Sequence, residues 1–284
     1  MSAFETLINP SPENNLLIPV PLMEELRQRK QGYNSLPIDT AHPLYGEPVV
    51  ELSDYGIAGQ AYYSRPNAAT GVAVDGVDPE LYLRKSVAET LAKINASLAN
   101  PAITEFFGSE IELWVEDALR PVALQKRLYE EVFPKLIHGQ NYGISEQAMQ
   151  KRRGQLIALP SYDPRRPSPH ATGGAVDLSL RYKQASLGYV AGVTVELGHT
   201  DGDTSERANP DYYEQHQPQT ETAQVAQRNR RALYAIMTGA ALGFETALIN
   251  NPTEWWHWGR GDQLSAQVEG QASAYYSFAP GLRT

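Results

Sequence analysis

The segment 168–177, Ser-Pro-His-Ala-Thr-Gly-Gly-Ala-Val-Asp, constrains the fold more than any other part of the chain. It contains two residues that can bind a metal, His170 and Asp177, and a glycine pair between them that permits a tight backbone turn. Over 175–180, apolar residues alternate with polar or small ones, which predicts a strand with one buried face. Asp177 then points away from the core, and a carboxylate on a rigid strand loses little freedom when it binds a metal.

A second segment, Glu-Trp-Trp-His-Trp at 254–258, adds a carboxylate and another histidine. If this segment is a strand, Trp256 and Trp258 face the core while His257 faces a cleft. Two histidines and an aspartate with one open position are typical of a catalytic zinc site. The chain has no cysteine, which excludes a thiolate zinc site. From the spacing alone, a metal site and a purely structural use of these residues stay equally open.

Length and composition describe an ordinary globular protein, with 284 residues, 42% hydrophobic and 20% charged. The net charge of −9 argues against nucleic acid or an anionic membrane as the main partner. No apolar run approaches the roughly 18 residues of a membrane span. The N-terminal residues lack the basic and apolar regions of a signal peptide. We therefore expect a cytoplasmic protein that binds neither nucleic acid nor membrane.

Apolar periodicity predicts helices and strands in mixed order, and hence an α+β fold. We expect helices over 22–31, 86–99, 146–156 and 225–242 and from residue 121 onward, and strands over 111–116, 176–180 and 189–196. Residues 1–45 contain many prolines and too few apolar residues for a core, so they are expected to form an arm packed on a single domain of residues 46–284.

Arg120 lies in Asp-Ala-Leu-Arg-Pro at 117–121, between a predicted strand and a predicted helix. A side chain at such a junction is held by two rigid elements and can reach into a cleft. The spacing by itself favours the simpler interpretation of a surface or ion-pair arginine.

These motifs resemble those of the zinc D-alanyl-D-alanine dipeptidases of the vancomycin-resistance type. That family shares a fold group with the zinc D,D-carboxypeptidases and the hedgehog signalling domain. The resemblance is carried by Ser-x-His-x-x-Gly-x-Ala-x-Asp at 168–177, by Glu-Trp-Trp-His at 254–257, and by 117–121, which is similar to the family's Asp-Gly-Tyr-Arg-Pro. It extends over residues 63–258 and implies a small, mostly antiparallel sheet that carries the zinc site and is flanked by helices.

The resemblance implies one zinc ion per chain, held by His170, Asp177 and His257. It implies that Glu254 transfers protons between water and the leaving amine, and that Arg120 stabilises the oxyanion. We therefore expect a zinc metallopeptidase that hydrolyses D-Ala-D-Ala or a related short D-amino-acid dipeptide.

The resemblance also implies substrate contacts from Ser168 and from Tyr63, which precedes a glycine by eight residues as the family's tyrosine does. One motif departs from the family, whose Met-Gly-x-x-Phe-Asp ends in an aspartate that holds the substrate's ammonium group. Gly202 occupies that position here, with Asp201 and Asp203 on either side. These two aspartates are the candidates for the contact, and the need for a free amino terminus stays open.

Two alternative functions are retained. A D,D- or L,D-carboxypeptidase that acts on larger peptidoglycan peptides would need an open groove and no pocket for an amino terminus. A zinc-containing binding domain without turnover would need the metal ligands but no acid/base carboxylate. The presence of Glu254 and Arg120 beside all three ligands favours a hydrolase.

Overall fold

The structure is a computed structural model that describes residues 15–66, 71–140, 143–185, 188, 190–198 and 204–281. Within these residues the strands are β1 (Val49–Glu51), β2 (Ala58–Gly59), β3 (Tyr82–Arg84), β4 (Ile111–Asp117), β5 (Ala175–Tyr182), β6 (Ile249–Asn251) and β7 (Glu254–Gly259). The α-helices are α1 (Glu24–Arg29), α2 (Lys85–Ser97), α3 (Pro101–Phe107), α4 (Val122–Arg127), α5 (Phe133–Gln140), α6 (Glu146–Leu156), α7 (Tyr212–Gln215), α8 (Glu221–Met237) and α9 (Gln263–Glu269). Among the described helices, none has both the length and the apolar character that a membrane crossing requires.

The described strands form a five-stranded sheet in the order β2–β4–β5–β7–β6, and a separate two-stranded sheet of β1 and β3. In the larger sheet β2 runs parallel to β4, and every other neighbouring pair is antiparallel. The predicted α+β class, with a small and mostly antiparallel sheet among helices, is confirmed.

The hydrophobic core lies on one face of this sheet. Val115 of β4 and Leu178 of β5 belong to the same buried cluster as Leu91 of α2 and Ile236 of α8. Helix α2 is amphipathic because its apolar residues recur at helical spacing, and β4 is half-buried because buried and partly buried residues alternate along it. The opposite face of the sheet is therefore left to polar side chains.

Most predicted elements are present, with shifted ends. The helix expected from residue 121 comprises α4, a π-helical segment (Leu128–Val132) and α5. The strand expected over 189–196 is wrong: of the residues described there, Thr194 alone forms an isolated bridge, with Arg181. The reason is Gly192, whose φ of 79° interrupts an extended conformation.

The N-terminal segment is attached to the rest of the protein by polar contacts. The backbone nitrogen of Met23 donates to Asp211 Oδ2 at 2.8 Å, and the guanidinium of Arg27 donates to both Asp211 oxygens at 2.9 and 3.1 Å. Farther along, Ile38 forms a bridge with Ala274. For residues 15–45 these contacts support the proposal of an arm on a single domain, whereas residues 1–14 lie outside the described residues.

The turn that leads into β5 depends on its glycine pair. Gly173 has a φ of 71°, in the region that favours glycine. A Cβ on Gly174 would lie 2.5 Å from the carbonyl oxygen of Arg260 and 2.9 Å from the ring of Tyr276. The Arg260 nitrogen donates to the Gly174 oxygen at 2.9 Å, so this close approach joins the start of β5 to the end of β7.

We expect Gly174→Ala to lower the free energy of unfolding by about 1–3 kcal/mol, because the backbone of Arg260 has to move to admit a methyl group. Urea denaturation measures the change. The control is Gly46→Ala, where a Cβ meets no atom within 4 Å and the effect should stay within about 0.5 kcal/mol. Equal effects of the two substitutions would contradict this role of Gly174.

Candidate metal centre and active site

A row of ionisable residues crosses the polar face of the sheet. Asp117 of β4 is the register partner of Asp177 of β5, and Asp177 is in turn the partner of His257 of β7. Directly opposed residues in antiparallel strands share a face, so these three side chains point the same way. His170, in the 3₁₀ turn Pro169–Thr172 before β5, reaches the same place.

The structure brings His170, Asp177 and His257 together. His257 Nδ1 lies 2.9 Å from Asp177 Oδ1, His170 Nε2 lies 3.4 Å from the same oxygen, and the two ring nitrogens are 3.2 Å apart. Zinc bound tetrahedrally at its usual 2.0–2.1 Å holds such ligand atoms about 3.3 Å from one another. The triangle therefore has the dimensions of one face of a zinc coordination tetrahedron.

The tautomer of His170 suits a metal ligand. Its Nδ1 lies 2.8 Å from the carbonyl oxygen of Ala118, which can only accept, so Nδ1 carries the proton. Nε2 then directs a lone pair at Asp177 and His257. Burial alone would raise the pKa of Asp177, but its contacts with His170 and His257 hold that pKa below its usual value. An ionised carboxylate and imidazole lone pairs that converge on one point fit a bound cation.

A large irregularity in the β6–β7 pair places Glu254 beside His257. Residues three apart on a regular strand point to opposite faces. Here Asn250 pairs with Trp258 while Asn251 pairs with Glu254, so the three intervening residues bulge outward. The side-chain nitrogen of Asn250 lies 3.0–3.3 Å from the carbonyl oxygens of residues 254, 255 and 257 and fills this bulge. As a result, Glu254 Oε2 lies 4.0 Å from His257 Nδ1.

Glu254 is held in a polar but poorly hydrated place. It is buried, and its Oε2 accepts a hydrogen bond from Asn251 Nδ2 at 2.5 Å. Burial raises the pKa of Glu254 to about 7, although the nearby charges of His257 and Lys30 oppose the rise. A carboxyl group with a pKa near neutrality can both accept and release a proton at physiological pH.

Arg120 is buried and forms an ion pair with Asp117, so of the simpler interpretation the surface position is wrong and the ion pair is present. Its Nε donates to Asp117 Oδ2 at 3.0 Å and its Nη1 to Gln125 Oε1 at 2.7 Å, while Nη2 lies 3.8 Å from Asp177 Oδ2. The pairing with Asp117 offsets the cost of burial and aims the guanidinium at the row of ligands. Its position at the end of β4, next to the start of α4, agrees with the prediction of a side chain held by two rigid elements.

These groups surround one cavity of about 150 Å³. Of the residues predicted for the site, those on its wall are Tyr63, Arg120, His170, Asp177, Glu254 and His257. Trp258 lies in the core as predicted, but Trp256 is half-buried and also lines the cavity. The bulge is the reason, because it interrupts the alternation of faces along β7.

The other predicted substrate contacts are not placed on this wall. Ser168 is buried, is not among the described residues that line the cavity, and its hydroxyl has no hydrogen-bond partner among them. Asp201 and Asp203 lie outside the described residues. Sequence reasoning missed Asp117, although it opens the motif that contains Arg120, and it missed Lys30, for which no sequence signal exists.

Asn250→Asp should lower the free energy of unfolding by about 1–3 kcal/mol, because a carboxylate oxygen would face three carbonyl oxygens where an amide N–H now donates. It should also reduce metal affinity, since the bulge that presents His257 loses its support. Chemical denaturation and metal titration measure the two effects. Parent-like values in both would show that the bulge does not depend on this amide.

The chain is similar in sequence to known D-Ala-D-Ala dipeptidases. The Peptidase M15 family model, described as D-ala-D-ala dipeptidase, matches residues 55–278. A curated D-alanyl-D-alanine dipeptidase of Synechocystis sp. is 28% identical over 262 residues, which cover 86% of this chain and 95% of the relative. A crystal structure of the vancomycin-resistance D,D-dipeptidase VanXYg with a D-Ala-D-Ala phosphinate analogue is 15% identical, with a TM-score of 0.27 and coverage of 79% of this chain and 72% of that one. Because the family match spans most of the sequence, the chain belongs to the M15 peptidases of the D-Ala-D-Ala dipeptidase family.

Proposed function

We propose that this protein is a zinc dipeptidase that hydrolyses D-Ala-D-Ala or a closely related D-amino-acid dipeptide. The observation that carries the proposal is the meeting of His170, Asp177 and His257 at 2.9–3.4 Å on the wall of a cavity that also contains Glu254 and Arg120. The family to which the chain belongs supports the reaction class. A binding domain without turnover would have no use for the last two residues.

Zinc is the metal that the ligand set favours. Two imidazole nitrogens and one carboxylate oxygen with an open fourth position are typical of catalytic zinc, and no thiolate is available in a chain without cysteine. When bound, zinc supplies Lewis acidity toward a carbonyl oxygen and lowers the pKa of water from 15.7 to about 7. His170, Asp177 and His257 would hold it.

Glu254 has the position and the proton affinity of the acid/base residue. Its carboxylate lies beside His257, and burial raises its pKa to about 7. It would accept a proton from the attacking water and later release that proton to the amine of the departing amino acid. Such proton transfer contributes about 10²–10⁴-fold to the rate.

Arg120 is the donor that can stabilise negative charge on the scissile carbonyl oxygen. Two of its nitrogens are engaged by Asp117, and Nη1 by Gln125, so the guanidinium is fixed before substrate arrives. A donor that is already in place loses no energy to reorganisation during the reaction. Tyr63, also on the wall, is the candidate for contact with the substrate.

The cavity is large enough for a dipeptide. A water molecule needs about 10–15 Å³ of cavity volume. A cavity of about 150 Å³ therefore has room for on the order of ten non-hydrogen atoms. A dipeptide of two alanines has about that size. An origin of the substrate in peptidoglycan and a cytoplasmic location stay predictions from the sequence.

The purified protein should contain about one zinc ion per chain, and Asp177→Ala should weaken zinc binding by more than about 100-fold, because the site loses its carboxylate ligand. Elemental analysis after dialysis measures the metal. The control is Asp163→Ala, in an exposed loop where the carboxylate pairs with Arg165. Full zinc content in folded Asp177→Ala would refute the proposed ligand set.

Glu254→Gln should keep its zinc and release D-alanine from D-Ala-D-Ala about 10²–10⁴-fold more slowly, because the amide cannot accept the proton. Arg120→Met should lose about 10²–10³-fold. Turnover of the free dipeptide, of its amine-blocked analogue and of a pentapeptide under the same conditions separates a dipeptidase from a carboxypeptidase. An unaltered rate in Glu254→Gln would remove this residue from the mechanism.

A further inference from the structure

We propose that Lys30, in the N-terminal arm, positions the acid/base carboxylate of Glu254 through the side chain of Asn251. The inference rests on the proposed function for the role of Glu254. It assigns the arm a part in the reaction. Lys30 acts through its ammonium group and the hydrogen bonds that this group donates. Neither the ligand motif nor the family match, which begins at residue 55, points to this residue.

The first link is the hydrogen bond between Asn251 and Glu254. Asn251 Nδ2 donates to Glu254 Oε2 at 2.5 Å, and both residues are buried. This bond fixes Oε2, the carboxylate oxygen that lies 4.0 Å from His257 Nδ1. If the amide of Asn251 turned over, its oxygen would face the carboxylate, and the bond would become a repulsion between two acceptors. The position of Glu254 therefore depends on the orientation of this amide.

The second link sets that orientation. Asn251 Oδ1 accepts from Lys30 Nζ at 3.1 Å and from the backbone nitrogen of Thr253 at 3.2 Å, and the Thr253 hydroxyl lies 3.0 Å from it. Donors that converge on one end of the amide require that end to be the oxygen. The bond from the ammonium is the strongest of them, because a charged donor roughly doubles the strength of a hydrogen bond.

The ammonium of Lys30 is itself fixed. Besides Asn251, it donates to the Thr253 hydroxyl at 2.6 Å and to the backbone oxygen of Gln155 at 3.1 Å. Three acceptors match the three N–H groups of a lysine, so none remains to hold a substrate carboxylate. Lys30 lies on the cavity wall, yet its hydrogen bonds point to residues 155, 251 and 253. This geometry favours a positioning role over substrate binding.

The test compares Lys30→Met, Asn251→Ala and the double variant as zinc-loaded full-length proteins. Lys30→Met is expected to lower kcat for D-Ala-D-Ala by about 10–100-fold, with KM within about 2-fold and zinc content unchanged. The double variant should be no slower than Asn251→Ala alone, because both substitutions break one chain of contacts. In a Glu254→Gln background, Lys30→Met should have no further effect on the residual rate. The matched control is Lys126→Met, an exposed lysine of α4, which should retain the parent's kcat.

Crystal structures of the parent and of Lys30→Met supply a readout that does not depend on turnover. The variant is expected to lose the contact between Asn251 Nδ2 and Glu254 Oε2, while the rings of His170 and His257 keep their places. If Lys30→Met does not fold, Lys30→Leu, which is apolar and donates no hydrogen bond, takes its place with the same expected result.

A rise in KM with unchanged kcat would show that Lys30 contacts substrate, and a loss of stability with unchanged kcat would show a purely structural role. Additive losses in the double variant would show that Lys30 does not act through Asn251. Each of these results overturns the inference. If the parent fails to hydrolyse D-Ala-D-Ala, the proposed function fails, whereas the Asn251–Glu254 contact in the two crystal structures still decides the positioning role.

Discussion

The pairing of β5 with β7, in the register that sets Asp177 opposite His257, is the interaction on which the rest of this structure depends. Because side chains alternate along a strand, the same register that sends Val176 and Trp258 into the core sends these two ligands to the other face. A slip of one residue would bury the carboxylate and expose the tryptophan. One strand register therefore determines both the packing of the core and the geometry of the metal ligands. Gly174 allows β5 and β7 to approach closely enough to pair in this register.

The buried ionisable residues on the polar face of the sheet are tolerated because each carboxylate has a partner. A buried carboxylate is costly unless it is paired, and Asp117 is paired with Arg120. Asp177 has His257 and His170 as neighbours, with ring nitrogens that can serve as metal ligands. A cation at their centre would satisfy all three groups at once. The ion pair of Asp117 with Arg120 thus fixes the guanidinium. His170, Asp177 and His257 form a separate group of electron-pair donors that could bind a metal.

The sequence predicted what depends on local periodicity and missed what depends on irregular pairing. Alternation along β5 correctly predicted that its apolar residues face the core and that Asp177 points away, and helical spacing correctly predicted α2. The β6–β7 bulge has no periodic signal, so the exposure of Trp256 to the cavity could not be anticipated. The contact of Lys30 with Asn251 joins residues 221 positions apart, and no local sequence pattern around either residue predicts it.

Polar contacts hold the N-terminal arm in a defined position, although this segment has no hydrophobic core of its own. An apolar segment can slide over an apolar surface at little cost, whereas hydrogen bonds require a particular distance and a nearly linear angle. Arg27 on Asp211 and Lys30 on its three acceptors therefore fix the arm in position as well as attach it. Burial lowers the pKa of Lys30 to about 8, although the charge of Glu254 opposes the fall, so the charged form still predominates at neutral pH. The arm and Glu254 therefore become ordered together. If the arm dissociated, Asn251 would lose its bond from Lys30, and Glu254 would lose its fixed partner.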